Sequence, residues 1–290
     1  MQQRNSLNGI ASTVSLGAAA FAVGMPASQA MAQEPYVVTA DGGITFSDFS
    51  DALFDEKGGA GPSFDTDVGF FGSVAVSKMI SDSWDWRVSG TLLAFGDNSA
   101  SARIAAPISA NLSQSMTGIL VDADLGWHKL MGKTDLRLGI GLQAASYDKG
   151  VDFDVSNGVD FVRGQYDVEY SGIGPKFSAD LSHPVSADGR MKLIAGASLA
   201  PTTGDIDVSF SARSTGGPVE GGSNSADADA LISSAYLGLA MERSETTEWR
   251  MGLRFDNIDT DIDDFGGEGV GLLGDSVLST SVFVGLRIEF

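Results

Sequence analysis

The chain of 290 residues contains no cysteine. That removes disulfides, thiolate nucleophiles and cysteine-held metals together. It has two histidines, His128 and His183, so few positions can supply a general base near neutral pH. Proline is sparse at 8 residues while glycine is plentiful at 37. That balance suits bending sheets more than disordered linkers. Beyond residue 32, no run reaches the roughly 18–20 apolar residues that a spanning helix needs. Basic residues are short as well: 18 Lys and Arg stand against 38 Asp and Glu, a net charge of −20. Phosphate backbones repel such a chain, which argues against nucleic acid as a partner.

What is present begins with a leader. Arg4 gives a positive start, an apolar stretch follows over 9–25, and Ala30 and Ala32 frame a small-residue cleavage site. Residues 1–32 therefore read as a signal peptide. The mature chain, 33–290, carries a net charge of −21 and reads as one β domain. Its expected setting is the two-membrane envelope of a Gram-negative cell.

The mature chain alternates. In "DSWDWRVSGTLLAFG", Trp84, Trp86, Val88 and Leu92 share one face against Asp85 and Arg87. In "TDLRLGIGLQAAS", Leu136, Leu138, Ile140 and Leu142 oppose Arg137 and Gln143. "EWRMGLRFD" sets Trp249 and Met251 against Arg250 and Arg254. The final "SVFVGLRIEF" sets Val282, Val284, Leu286, Ile288 and Phe290 against Arg287 and Glu289. Period two marks strands with two unlike faces. Weaker runs near 36–49, 67–78, 170–184 and 228–243 bring the count to about ten strands, within a range of about eight to twelve.

Connection lengths alternate too. Short links lie near 79–82, 131–134, 184–189 and 244–247; long ones lie near 50–65, 97–115, 148–164, 204–227 and 256–275. This asymmetry predicts an all-β, antiparallel, up-and-down transmembrane barrel with short periplasmic turns and long extracellular loops. The long spans hold 20 Asp and Glu against 5 Lys and Arg, so the outside is expected to be acidic. Asn157-Gly158 reads as a type I′ hairpin turn, and the strands beside it are expected to continue past the membrane.

Trp84, Trp86, Trp127 and Trp249 each fall at the short-turn end with the apolar phase, as an aromatic girdle would. The opposite phase supplies a lumen set: Asp85, Arg87, Asp122, Asp124, Arg137, Lys176, Asp180, Lys192, Glu242, Arg250, Arg254, Arg287 and Glu289. Opposed charges in a narrow barrel are expected to pair, because an unpaired buried charge is expensive. Ten strands lie close to the eight whose side chains fill the interior.

The chemistry these residues imply is limited. Asp259, Asp261 and Asp263 have calcium-loop spacing, but Asp264 stands where glycine is needed and Val270 where glutamate is needed. No metal site and no cofactor are expected, and divalent cations at the acidic loops are a candidate partner. No catalytic residue is assigned and an enzyme is not expected. The histidines lie at the periplasmic end, where His128 with Asp124 is the one pair worth testing. Two roles fit: a narrow porin-like channel or structural envelope protein with a charge-paired lumen, or a surface adhesin or binding barrel acting through its acidic loops.

Two stretches carry a resemblance: "ILVDADLGWHKLMGKTDLRLGIGLQAASYDKG" and "EYSGIGPKFSADLSHPVSADGRMKLIAGASLAPTTGD". They resemble the Legionella-type major outer-membrane protein family of pore-forming barrels. The resemblance implies an outer-membrane location and a channel role, with outer-membrane lipid and lipopolysaccharide as surroundings. The terminal Phe290 similarly resembles the sorting signal that such barrels present to the barrel-assembly machinery.

Overall fold

A computed structural model describes residues 35–47, 67–105, 108–262 and 276–290. The expected leader at 1–32, and Asp263 and Asp264 of the acidic stretch, lie outside them. The strands are β1 (Tyr36–Ser47), β2 (Asp67–Ser81), β3 (Trp84–Ala105), β4 (Ile108–Met131), β5 (Thr134–Ser156), β6 (Phe161–Pro184), β7 (Met191–Ser214), β8 (Val219–Ser244), β9 (Thr247–Ile262) and β10 (Ser276–Glu289). Each pairs antiparallel with its sequence neighbours, and β1 pairs with β10 from Val37 opposite Glu289 to Ser47 opposite Ser279. The ten strands therefore form a closed up-and-down barrel. Closure leaves no row of unpaired backbone groups along an edge, which hydrocarbon would not tolerate.

One rim carries the short connections at 82–83, 132–133, 185–190 and 245–246. At the other rim, three of the spans expected as long loops, 97–115, 148–164 and 204–227, are largely strand, while 50–65 and 263–275 lie outside the described residues. β3 runs to Ala105 and β4 starts at Ile108; β5 ends at Ser156 and β6 starts at Phe161; β7 ends at Ser214 and β8 starts at Val219. β4, β6 and β7 each reach 24 residues and β8 reaches 26. Crossing a bilayer takes about 9–11, so the wall from β3 to β8 stands well clear of it. The Asn157-Gly158 turn also differs from its expected form. Ser156 pairs with Phe161, so the connection spans 157–160 rather than two residues. The Asn157 side chain organises it: its Oδ1 accepts the backbone N–H of Val159 at 2.9 Å and of Asp160 at 2.6 Å. Gly158 adopts φ 87°, a conformation that a Cβ would oppose.

A change of polarity runs along the tall strands β5 and β6. On β5, Leu138, Ile140, Leu142 and Ala144 face out through the lower half, and Asp148 and Asp152 face out above them. The inward phase does the reverse: Arg137 and Gln143 below give way to Ala145, Tyr147 and Val151 above, with Lys149 the one charge between them. β6 repeats it, with Phe177 and Ile173 outside giving way to Glu169 and Asp167 while Lys176 inside gives way to Tyr170 and Val168. The lower half is apolar outside and charged inside, as a barrel in lipid must be. The upper half is acidic outside and mostly apolar inside, with Lys149, Gln114 and Asp67 also buried there, as suits a barrel in water. The loops keep to strand for this reason: their alternating residues still have a core to cover.

Above the band the outward acids oppose one another. Asp148 faces Glu169, and Glu169 faces Asp207, on three successive strands. Partial burial holds the Asp148 carboxyl above its usual range, and the charges of Glu169 and Asp167 push the same way. A carboxyl raised in the folded state favours folding when protonated and opposes it when ionised. Asp148→Asn is therefore expected to stabilise the barrel at pH 7 by at most ~1 kcal/mol. The gain should vanish as pH falls through the carboxyl's folded pKa, which urea titrations at pH 7 and pH 4 would reveal.

Candidate functional site

The lumen holds two layers. Toward the short-turn rim, β3 to β6 point charges inward. Cross-strand register sets Arg87 opposite Asp124 and Arg137 opposite Asp180. Arg137 is the centre of this layer. Its Nε donates to both carboxylate oxygens of Asp85 at 3.0 and 2.9 Å, and Nη2 donates to Asp85 at 2.8 Å and also to Asp124. Arg87 reaches Asp180 at 2.8 Å and Asp124 at 3.5 Å. Lys176 donates to Asp122 at 2.5 Å, and Ser89 donates to the other oxygen of that carboxylate at 2.6 Å. Tyr236 on β8 donates to Asp180 at 3.0 Å, carrying the network along the wall over Gly196 of β7. On the far wall Arg250 pairs with Asp41 at 2.8 Å, and its guanidinium lies 5.8 Å from the Tyr236 ring.

Two glycines make this layer possible. A Cβ on Gly126 would lie 2.2 Å from Asp85 Oδ1 and 2.3 Å from Arg137 Nε. One on Gly139 would lie 2.3 Å from Ser178 Oγ and 2.9 Å from Arg137 Nη1. The guanidinium lies across strand backbone where no side chain stands. Gly126→Ala should therefore displace the Arg137–Asp85 pair. A buried network forced off its geometry loses on the order of 1–3 kcal/mol. A urea midpoint for this variant no lower than that of the unsubstituted barrel would show that the pair has room to spare.

Above the charges lies an apolar layer that sequence reasoning missed. Phe71, Leu93, Phe95, Leu120, Ile206 and Phe283 all point inward, each at most 6% exposed. The Tyr147 and Tyr170 rings stack at 6.3 Å between centroids, and Tyr170 shares a 2.7 Å hydrogen bond with Thr202. Arg254, bound side-on to Asp256 on its own strand, caps the Phe71 ring at 5.2 Å. The signal was a doubled apolar residue. Leu92-Leu93 and Ile119-Leu120-Val121 break the alternation because both faces of the strand are apolar there.

The other sequence-derived residues fall as follows. Lys192 pairs with Glu242 at 2.6 Å and Glu248 at 3.4 Å, near the short-turn rim. Among the described residues Arg287 and Glu289 form no ion pair, so the closing strand stands outside the network. Asp41, Asp256, Glu248 and Tyr236 belong to it, although the sequence pattern does not single them out. Trp84 and Trp249 are exposed on the outer face, and Trp84 faces Trp127 across β3 and β4. Trp86 meets Tyr36 edge-on at 6.2 Å, which adds a tyrosine to that belt. Phe290 is 73% exposed, and its backbone N–H donates to the Tyr36 carbonyl at 2.9 Å.

The histidines correct another expectation. His128 is not set against Asp124; its Nε2 lies 3.3 Å from Asp85 and its Nδ1 3.4 Å from Asp135. His183 Nδ1 shares a 2.8 Å hydrogen bond with Thr134 Oγ1. Among the described residues no group of three His, Asp or Glu converges as a metal site.

No family model matches the chain, and no curated protein matches it in sequence. Among solved structures it is similar to the outer membrane protease OmpT from Escherichia coli, at 9% identity and TM-score 0.48, over 91% of this chain and 99% of that one. It is similar to a major outer membrane protein from Thermus thermophilus, at 8% identity and TM-score 0.42, over 88% and 98%. It is also similar to the translocator domain of the autotransporter NalP from Neisseria meningitidis, at 12% identity and TM-score 0.42, over 98% and 96%. None of the three bears the name of the Legionella-type family, so that resemblance holds at the level of outer-membrane barrels. The expectation that the chain is not an enzyme is corrected. Barrels of similar build include a protease, so this architecture does not exclude catalysis. His128 also has two carboxylates within reach that the sequence reading did not give it.

Proposed function

We propose that this chain is an outer-membrane β-barrel with a closed, charge-paired lumen, a structural envelope protein rather than a diffusion pore. The observation that carries the reading is Arg137, 6% exposed and held on the inner wall over β4 between Asp85 and Asp124. The largely apolar layer above it narrows the same passage. The outward apolar band and the tryptophan belt support the membrane setting. In this reading residues 1–32 direct export, and Phe290 serves the assembly machinery. The Legionella-type resemblance supports the same membrane setting, and its pore role would require the lumen to open. The test is planar-bilayer recording of the refolded barrel, its folding checked by heat-modifiable gel mobility. Silence is expected, and reproducible conductance steps would overturn the closed lumen.

A second reading has its own observation. The outward acids Asp148, Glu169, Asp207 and Asp229 of β5 to β8 stand on paired strands above the apolar band. A binding barrel acting through that wall would be recognised by cell-surface attachment that is lost when the acids are neutralised.

A further inference from the structure

On the outer wall, two depressions follow one another up β7 and β8. The lower one has a floor of small side chains, Ala179, Ala197, Ser233 and Ala235, with Phe177 and Phe255 standing at its ends. These residues are neighbours in register: Ala179 faces Ala197, Ala197 faces Ala235, and Ala235 faces Phe255. The slot measures about 570 Å³, and both phenylalanines are exposed on the lipid-facing phase. The upper depression, about 360 Å³, is lined by Thr203, Asp205, Asp227 and Asp229. Asp205 faces Asp227 and Thr203 faces Asp229. Ser233 and Asp229 are four residues apart on β8, about 13 Å along a strand. Residues 199–209 and 223–233 contain no Lys or Arg.

We infer that the two depressions form one site for an amphiphile with an alkyl chain and a cationic head. The chain fills the apolar slot, and the amine lies against Asp205, Asp227 and Asp229. The charges choose the occupant. An anionic head would meet carboxylates with no compensating base nearby. A second copy docking by a two-fold axis through this face would bring two acidic patches together. The slot lies within the apolar band and the acids lie above it, so a single molecule at the interface can satisfy both. The inference rests on the proposed membrane placement, and the experiment separates the two.

The barrel is reconstituted in phosphatidylcholine vesicles with octadecylamine or octadecyl phosphate, each spin-labelled near the chain end. The amine should show a motionally restricted fraction several-fold larger than the phosphate. Asp227→Asn with Asp229→Asn should bring the amine down to the phosphate level. Ala197→Leu with Ala235→Leu should fill the slot and lower the restricted amine while the acids remain. Heat-modifiable mobility confirms that each variant is folded. Equal restriction of both labels overturns the proposal. So does amine preference that survives the filled slot, since surface charge alone then explains it. A cross-linked dimer that the filled slot abolishes assigns the slot to a second copy and also overturns it. A barrel that restricts neither label is not in the bilayer, and the placement then falls with the proposal.

Discussion

Arg137→Ala should cost the barrel about 3–5 kcal/mol, the range for removing one partner of a buried ion pair. The substitution leaves Asp85 and Asp124, at 8% and 0% side-chain exposure, without their shared cation. Arg87 and Lys176 lie 3.5 and 4.0 Å from Asp124 and compensate only in part. The loss reads out as a lower urea midpoint followed by tryptophan fluorescence. In planar bilayers the same variant should raise conductance from silence, because the layer closing the lower lumen has lost its centre. Arg163→Ala is the control. Its pair with Asp154 is 2.7 Å long but stands in water at the rim, where such a contact contributes about 0–1 kcal/mol. An Arg137 variant as stable and as silent as the control would remove the reason for calling the lumen closed at that layer.

Ile140→Arg should be the costliest outward substitution on β5, at about 2–4 kcal/mol. Ile140 is 58% exposed and lies opposite Leu125 and Phe177, in the middle of the apolar band. Leu138→Arg, one outward position lower, should cost less. Leu138 faces Trp127, so an arginine there can reach the headgroups with its guanidinium. Refolding titrations into short-chain lipid would rank the two. Equal costs would move the tryptophan belt away from the boundary of the hydrocarbon.

The fold was legible because alternation is a local property. Leu136 to Leu142 and Trp249 to Phe255 reveal strand and phase without any knowledge of their partners. The lower lumen was partly legible for the same reason: Asp85, Arg87, Asp124 and Arg137 fall on the polar phase of strong strands. Their pairing was not. Arg250 meets Asp41 from the opposite end of the chain, and only ring closure brings β9 near β1. The apolar upper lumen was hidden because its residues sit on the phase that reads as polar lower down. Tyr147 follows Arg137 by ten residues on the same face of β5. A single strand does not announce where its surroundings change from lipid to water. Length and charge make the acidic spans read as loops, but the alternation of "DIDVSFSA" already points to strand that continues past the membrane, as β7 does.

The reversal of polarity along the tall strands fixes how deep the molecule sits. Sinking by one outward position, about 7 Å of strand, would draw Asp148, Glu169 and Asp229 toward hydrocarbon. Rising by the same step would lift Trp84, Trp127 and Trp249 out of the headgroups and expose a fresh row of aliphatics to water. Both displacements oppose the hydrophobic effect or the solvation of charge, so the waterline is written twice into β5 and β6. A barrel with a plain aliphatic exterior could bob or tilt to suit a thinner bilayer at little cost. This one should instead make the surrounding lipid stretch or thin to meet it.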